Sequence, residues 1–292
     1  MAAEAGVGLL SVVGTPIGNL SDASPRMVQT LRDSDVVLCE DTRVTARLLS
    51  HFDLHVPLVR ADENVLDRRV GATVERIAAG EHVSFVSDAG MPGVSDPGQR
   101  LVDAALDAGL RVEVVPGPSA VTCALVASGL PMEHFFFEGF LPRKRGAMAS
   151  RLRELAPVPG ALVLYESPRR VASTLRVIAE VFPQRKVALL RELTKLHEEC
   201  VRDLAPRLAE RIARRDEAEG LRGECVVVIG PPTSAEADAA KDDSLAPLDE
   251  AIVEGLAAGE PKSALAKRLA RERGLARQDV YDQVVSLSRG RG

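Results

Sequence analysis

The sequence predicts an α/β protein in which two α/β halves precede a small helical segment. Short apolar runs alternate with amphipathic stretches, which is the pattern of strands followed by helices. The segment Gly129-Leu130-Pro131 interrupts this alternation once, and an Ala-, Asp-, Ser- and Pro-rich stretch over residues 232–247 interrupts it again. The length of 292 residues agrees with this division, because a domain has roughly 150 residues on average.

The first half carries the clearer strand signals. Near-continuous apolar runs, typical of strands covered on both faces, predict strands over residues 8–13, 36–39, 83–86 and 112–115, with a weaker one near 56–59. Ser24 before Pro25 and Asp96 before Pro97 each predict an N-cap followed by a proline in the first turn of a helix. Since a helix separates consecutive strands, the sequence predicts a mainly parallel sheet.

The second half predicts strands over residues 135–137, 161–165, 187–190 and 225–229. Beyond the linker, Leu265 and Leu269 share one face of a short helix, and Val280 and Val284 share one face of the next. The predicted organisation is therefore an α/β domain over residues 1–130, a second over 131–231, a linker over 232–247 and a basic, helix-turn-helix-like domain over 248–292.

Bulk composition limits the classes of function. The net charge of −5 does not suit a general polyanion-binding protein. Residues 262–292 nevertheless contain eight Lys and Arg against three Asp and Glu, an excess that can meet phosphates. No run of ~18 apolar residues exists, so no membrane span is expected. The first residues lack the basic and apolar regions of a signal peptide, so we expect a cytoplasmic location.

The spacing of Cys and His does not predict a metal site. The four cysteines are far apart in the sequence and form no Cys-x-x-Cys pair, which argues against both a zinc site and a disulfide framework. His51 and His55 have the i, i+4 spacing of zinc ligands on a helix, but no third ligand is evident. We therefore expect no metal.

Loops rich in Gly, Pro, Ser and charged residues follow the predicted strands in both halves. They cover residues 14–20, 40–43, 87–98, 116–120, 140–145, 166–170 and 191–195. Each alone has an ordinary structural explanation, such as a turn, an N-cap at Asp41 or Ser119, a solvated basic triplet or a salt bridge. Small ligands bind at the carboxyl ends of strands in open α/β sheets, so the coincidence of these loops predicts a ligand cleft between the halves.

Seven segments, in order and in register, closely resemble the ribosomal RNA small subunit methyltransferase I family. They are GTPIGNL at 14–20, EDTR at 40–43, SDAG at 87–90, SDPG at 95–98, PGPSA at 116–120, GFLP at 139–142 and RELTK at 191–195. These are S-adenosylmethionine-dependent 16S rRNA cytidine 2′-O-methyltransferases of the tetrapyrrole methylase superfamily. The resemblance runs from about Gly8 to Ile229, and the C-terminal segment is similar to a helical domain that many members carry. Met91 stands where the family commonly has Thr.

The resemblance implies two α/β domains of the tetrapyrrole methylase type with S-adenosylmethionine between them, and a homodimer. It implies as substrate a cytidine ribose in the decoding region of 16S rRNA, on the small ribosomal subunit. The cofactor residues that it implies are Pro16, Ser87, Asp88, Ala89, Gly90, Val94, Ser119, Ala120, Tyr165, Gly223 and Glu224.

Contacts to RNA are expected from polar and basic loop residues and from the basic C-terminal helices. The loop residues are Asn19, Arg43, Arg143, Lys144, Arg145, Arg169 and Arg170. With two Tyr, seven Phe and no Trp, broad stacking on bases is not expected, and contact with phosphates and shape recognition are more plausible.

Methyl transfer to a 2′-hydroxyl requires alignment and a base that takes the hydroxyl proton. The candidates are Glu40, Asp41, Asp88 and Glu166, and a carboxylate of the pair Glu40-Asp41 is favoured because Arg43 places it on the RNA side. Lys195 is predicted to polarise the oxygen or to hold the adjacent phosphate. Two alternatives stay open: a tetrapyrrole or diphthine methylase of the same superfamily, and a non-catalytic RNA-binding assembly factor.

Overall fold

The computed structural model of the chain describes residues 8–93, 98–236, 248–273 and 275–289. Two compact units are distinguished, Met1–Pro231 and Pro232–Gly292, and each is described by itself. The N-cap predicted at Asp96 lies outside the described residues, as does most of the predicted linker.

The first unit begins with a sheet of five strands. They are β1 (Leu9–Val13), β2 (Val36–Cys39), β3 (Leu58–Arg60), β4 (His82–Val86) and β5 (Arg111–Val115). The spatial order is β3-β2-β4-β1-β5, and every pair is parallel, as predicted. A short 3-10 helix (Leu20–Asp22) and helices α1 (Pro25–Arg32), α2 (Thr42–His51), α3 (Leu66–Ala78) and α4 (Gly98–Asp107) connect the strands. The loops that leave the carboxyl ends of the strands therefore lie at one edge.

Helix α1 begins where its sequence predicts. The Ser24 hydroxyl oxygen accepts a hydrogen bond from the Met27 N–H at 3.0 Å, and Pro25 occupies the first turn. The helix then buries Met27 and Leu31 in one cluster with Val13 and Val37 of the sheet. Burial of one such side chain stabilises the fold by about 1.5–3 kcal/mol, so this face anchors the loop between β1 and α1.

The second sheet of the first unit is mixed. Its strands are β6 (Phe135–Phe140), β7 (Ala161–Glu166), β8 (Lys186–Arg191), β9 (Glu199–Leu204) and β10 (Cys225–Ile229), in the order β6-β7-β10-β8-β9. Helices α6 (Arg145–Leu155), α7 (Val171–Val181) and α8 (Ala205–Glu219) accompany them. Only β6 and β7 pair in parallel. Strand β9 was not predicted, because it is an edge strand with few apolar residues among charged and polar ones.

The direction of β10 has a consequence for the site. Because β10 runs antiparallel to both neighbours, its first residue, Cys225, pairs with Glu166 at the end of β7 and with Arg191 at the end of β8. The residues before β10 therefore lie at the same edge as the loops after β7 and β8. This explains why Gly223 and Glu224, which precede a strand, join loops that follow strands.

Helix α5 (Ala120–Ser128) joins the two sheets. It follows β5 of the first sheet, yet Val121 and Leu125 pack in a buried cluster with Val163 and Val226 of the second. Gly129 ends the helix in the left-handed conformation (φ 58°) that glycine adopts without strain. The loop over residues 116–120 is thereby held between the two sheets.

The second unit contains helices α9 (Leu248–Ala257), α10 (Lys262–Arg273) and α11 (Arg277–Arg289). Their shared core includes Ile252, Leu265, Leu269, Val280 and Val284. The predicted apolar faces of α10 and α11 thus meet in one small core. None of the helices in the described ranges is long and apolar enough to cross a membrane.

Candidate functional site

A cavity of about 400 Å³ is lined by loops from both sheets of the first unit. Cavities that hold small ligands in proteins typically have volumes of ~300–1,000 Å³. Seven of the predicted cofactor residues line it: Ala89, Gly90, Ser119, Ala120, Tyr165, Gly223 and Glu224. The cleft predicted from the clustering of loops therefore exists as a cavity.

The wall on the side of the first sheet depends on close approach between loops. A Cβ atom on Gly117 would lie 2.7 Å from the carbonyl carbon of Gly14, so neither position has room for a side chain. Thr15 and Gly90 exchange backbone hydrogen bonds of 2.9 and 3.1 Å. These contacts fix the ends of β1, β4 and β5 against one another, and they leave small residues facing the cavity.

The thioether of Met91 fills the space between the loops that carry Gly14 and Gly117. Its Sδ accepts a hydrogen bond from the Gly117 N–H at 3.2 Å, and the residue lines the cavity. A Cβ on Gly14 would come within 2.6 Å of this sulfur. At this position the thioether fills the gap between the loops and leaves no hydroxyl there for a ligand.

The wall on the side of the second sheet is more apolar. Phe140 and Tyr165 meet edge to face with 5.8 Å between their ring centroids. Burial and the nearby Glu224 carboxylate raise the pKa of the Tyr165 phenol. The lining residues that the sequence analysis did not assign to the cofactor are mostly apolar: Ile17, Met91, Phe140, Glu166, Ser167, Pro168, Leu193, Cys225 and Val226.

Three predicted cofactor residues lie beside the cavity without lining it. Pro16 and Ser87 are buried, and the Ser87 hydroxyl donates to the carbonyl oxygen of Ala89 at 3.2 Å, which shapes the loop. Asp88 is exposed and directs its carboxylate toward the Asp41 N–H. Val94 lies outside the described residues.

Three carboxylates meet next to the cavity, at the ends of β2 and β4. The Asp88 N–H donates to Glu40 Oε1 at 3.2 Å, and the Asp41 N–H donates to Asp88 Oδ1 at 2.9 Å. Asp41 is the N-cap of α2, and its carboxylate accepts hydrogen bonds from the Arg43 side chain at 2.6 and 3.0 Å. These side-chain bonds, with the Arg43 backbone N–H, hold the pKa of Asp41 well below its usual range. Asp41 is therefore a weak proton acceptor.

Lys195 lies between two carboxylates, one of which belongs to the cavity-lining Glu224. Its Nζ is 3.0 Å from Glu192 Oε1 and 3.0 Å from Glu224 Oε2. Burial lowers the pKa of Lys195, but the hydrogen bonds to Glu224 and Glu192 raise it by more, so the pKa lies above its usual value. The hydrogen bond from the Glu224 backbone and the contact with Lys195 lower the pKa of Glu192 against the effect of burial. Lys195 is thus held as a cation.

The loop that carries Lys195 is strained. Glu192 and Thr194 have φ values of 51° and 65°, in a region that residues other than glycine seldom adopt. The Thr194 hydroxyl accepts the Asn19 N–H at 3.2 Å, and a Cβ on Gly18 would overlap the Lys195 side chain. The loop after β8 is therefore tied to the loop after β1, so Asn19 and Lys195 lie together.

The predicted RNA residues divide into two groups. Arg43 pairs with Asp41, and Arg145 with Glu180 at 2.6 Å. Arg170 lies 3.3 Å from the buried Glu166 carboxylate and donates to the Leu141 carbonyl oxygen at 3.1 Å. Arg143, Lys144 and Arg169 are exposed and form no ion pair within the described part of the chain.

Replacing Arg170 by Ala is expected to destabilise the fold by about 3 kcal/mol, because it leaves the Glu166 carboxylate buried without its cation. Thr174 and the Ser167 N–H, at 2.6 and 2.8 Å, remain as partners of Glu166. Arg169→Ala, the neighbouring exposed control, should change stability by no more than ~0.5 kcal/mol. Equal urea midpoints for the two variants would contradict this role for Arg170.

In the described ranges no group of three or more His, Cys, Asp and Glu residues is placed to hold a metal ion. Cys225 is one of the residues that line the cavity, and burial raises the pKa of its thiol to about 11. It is therefore a protonated, weakly nucleophilic group near neutral pH.

The sequence matches the family described as Tetrapyrrole (Corrin/Porphyrin) Methylases over residues 9–209. A ribosomal RNA small subunit methyltransferase I from Mesorhizobium japonicum is 41% identical over 279 residues, covering 95% of this chain and 92% of the relative. One from Mycobacterium tuberculosis is 42% identical over 289 residues, with 98% and 97% covered. One from Thermotoga maritima is 42% identical over 223 residues, which are 76% of this chain and 98% of that relative.

Solved structures show the same fold at lower identity. A uroporphyrin-III C-methyltransferase from Thermus thermophilus, complexed with S-adenosylhomocysteine, is 22% identical with a TM-score of 0.53, covering 76% of this chain and 97% of that one. A cobalt precorrin-4 methyltransferase is 18% identical with a TM-score of 0.56, covering 76% and 94%. The family match and the relatives that align over nearly their full length show that the chain belongs to the tetrapyrrole methylase family and, within it, to the ribosomal RNA small subunit methyltransferase I family.

Proposed function

We propose that this protein transfers a methyl group from S-adenosylmethionine to the ribose 2′-oxygen of a cytidine in the decoding region of 16S rRNA. The observation that carries the proposal is the juxtaposition of the 400 Å³ cavity with the carboxylate of Glu40 and the ammonium group of Lys195. This juxtaposition occurs in a chain that is 41% identical to a ribosomal RNA small subunit methyltransferase I. The assembled small ribosomal subunit is the proposed substrate, and the cytoplasm is the proposed location.

The chemistry of the cavity suits S-adenosylmethionine. Gly90 and Ala120 offer backbone groups without bulk, and a Cβ on Gly90 would meet the Ile17 side chain at 3.0 Å. The ring of Tyr165 complements a cation. When bound, S-adenosylmethionine supplies a methyl group on a positively charged sulfur, so no acid is needed for the leaving group. The residues proposed to hold S-adenosylmethionine are the seven predicted cofactor residues that line the cavity, together with the apolar residues that line it.

Glu40 is the proposed base. Its Oε1 accepts a hydrogen bond from the Asp88 N–H. It is preferred to Asp41 because Arg43 binds both oxygens of the Asp41 carboxylate and holds its pKa well below the usual range. Glu40 takes the proton of the 2′-hydroxyl on a carboxylate oxygen. Lys195, held as a cation near Asn19, binds the phosphate beside the reacting ribose or polarises its oxygen.

Exposed cations of the second sheet are the proposed RNA contacts. Arg143, Lys144 and Arg169 carry charge that no carboxylate in the described part of the chain neutralises. We propose Arg43, Arg145 and Asn19 as additional contacts. The ion pairs Arg43–Asp41 and Arg145–Glu180 are exposed, so each arginine can readily exchange its carboxylate partner for a phosphate. Arg170 is proposed to act on RNA through the position of the basic loop that follows Leu141.

A homodimer is proposed from exposed apolar side chains. Val114 on the edge strand β5, Val126 on α5 and Phe135 on the edge strand β6 are 52%, 67% and 49% exposed. Edge strands with exposed apolar side chains favour association.

The proposal is tested by incubating the protein with labelled S-adenosylmethionine and one of three acceptors: small subunits lacking the mark, their naked rRNA, or a free tetrapyrrole. The expected result is one methyl group per subunit, mapped to a cytidine ribose. Label in the tetrapyrrole alone would overturn the proposal in favour of a small-molecule methylase. Cofactor and subunit binding without label transfer would establish a binding factor instead.

A further inference from the structure

The basic side chains of the second unit are not evenly distributed. Lys267 and Arg271 are exposed on α10, and Lys262 is exposed at its start. Arg268, on the same helix, is held by Glu260 at 2.7 Å and Glu272 at 3.2 Å. Arg268 thus belongs to the internal ion pairs of the unit, whereas Lys267 and Arg271 are available to a partner, and Lys262 donates to the Ser288 hydroxyl at 2.8 Å.

The spacing of the exposed cations defines one face of α10. Lys267 and Arg271 are four residues apart, so they lie on the same side of the helix with about 6 Å between them along its axis. Ser263, one turn earlier, is exposed and small, so it does not obstruct this face. Neither Lys267 nor Arg271 forms an ion pair with any described residue. This face therefore presents uncompensated positive charge.

Helix α11 has exposed carboxylates between its two terminal arginines. In a helix-turn-helix, the second helix normally enters the nucleic-acid groove. Here the exposed residues of α11 include Asp279 and Asp282, and Gln278 donates to Asp282 at 3.1 Å. Two carboxylates on that helix would repel a phosphate backbone, so the charge pattern does not favour α11 as the reading helix.

We infer that the second unit binds the phosphate backbone of the rRNA substrate through α10, with Lys267 and Arg271 as the central contacts and Lys262 at the start of the helix. This inference rests on the proposed rRNA substrate. Contacts with phosphates supply affinity and orientation but carry no sequence information. The unit therefore holds the protein on RNA, while the choice of nucleotide is made in the first unit.

The comparison with relatives supports this division. The Thermotoga maritima relative is matched over 98% of its length by 76% of this chain, so about a quarter of this chain has no counterpart in it. The match to the methylase family also ends at residue 209, before the second unit begins. The second unit therefore lies outside the region matched to the methylase family, as expected of an element that adds binding to the methyltransferase.

The test is the double variant Lys267→Ala/Arg271→Ala in the full chain, with Asp279→Asn/Asp282→Asn as the matched control on α11. Both pairs are exposed, so thermal unfolding should match that of the wild type. Binding to naked small-subunit rRNA is measured as a function of salt. Loss of two phosphate contacts should reduce the slope of log affinity against log salt by about 1.4–1.8. The control should bind as tightly as the wild type or more tightly.

Turnover measurements separate this inference from the proposed function. The double variant should show a raised KM for the rRNA or subunit and an unchanged kcat. An unchanged salt slope with wild-type methyl transfer would overturn the inference alone. Weakened binding to assembled subunits but not to naked rRNA would assign the face to a ribosomal protein and overturn it as well. Absence of methyl transfer by the wild type would instead count against the proposed function.

Discussion

Replacing Glu40 by Gln is expected to lower the rate of methyl transfer by about 10²–10⁴-fold, the contribution of a positioned base. The amide oxygen of Gln can still accept the hydrogen bond that the Asp88 N–H donates at 3.2 Å. The loop beside the cavity should therefore keep its position, and S-adenosylmethionine should bind as before. Single-turnover rates and calorimetric cofactor binding would measure the two effects separately.

Asp41→Asn is the matched control for that variant. Asn is as good an N-cap as Asp, so α2 should keep its start, and an exposed pair with Arg43 is worth at most ~1 kcal/mol. Because Arg43 already holds the pKa of Asp41 far below its usual range, we expect only a few-fold change in rate. Loss of activity in Asp41→Asn with full activity in Glu40→Gln would exchange the two roles.

Gly117→Ala is expected to destabilise the first unit by about 1–3 kcal/mol and to weaken cofactor binding. The new Cβ would lie 2.7 Å from the carbonyl carbon of Gly14, and backbone cannot give way as a flexible side chain can. The loop over residues 116–120 would have to move, and it carries Ser119 and Ala120 of the cavity wall. Urea unfolding and cofactor titration would measure both changes.

Gly146→Ala provides the control for a change from Gly to Ala. Gly146 lies in α6, and a Cβ there would meet nothing within 4 Å. Ala should stabilise this helix by about 0.5–1 kcal/mol. A similar loss of stability in both variants would contradict the importance of the contact between Gly14 and Gly117.

The first sheet was predictable because its central strands β1, β2 and β4 are buried on both faces and each strand is followed by a helix. Residues 36–39 were predicted as a strand and form β2 with the same limits. The second sheet was less predictable. The Glu199–Leu204 segment has the alternating charges of an edge strand, and the antiparallel direction of β10 depends on long-range pairing that leaves no local signal.

The residues of the candidate site were also predictable only in part. Ala89, Gly90, Ser119 and Ala120 stand in loops whose composition indicates close approach to a ligand. Apolar lining residues such as Leu193 and Val226 look like core residues in the sequence, because an apolar cavity wall and a packed core use the same side chains. Ion pairs between distant residues were also invisible, since Arg145 meets a carboxylate 35 residues away, at Glu180. The salt bridges suggested within residues 166–170 and 191–195 are present, at Glu166–Arg170 and Glu192–Lys195.

The position of β10 also bears on how the chain emerges from the ribosome during its own synthesis. β10 lies between β7 and β8, although it is the last strand of the first unit to be translated. At ~5–20 residues per second, the roughly 40 residues from the end of β8 to the end of β10 take about 2–8 s to make. Throughout this interval the nascent chain exposes two apolar strand edges where β10 will insert. We therefore expect the unpaired edges of β7 and β8 to be open to chaperone binding or aggregation until β10 is made.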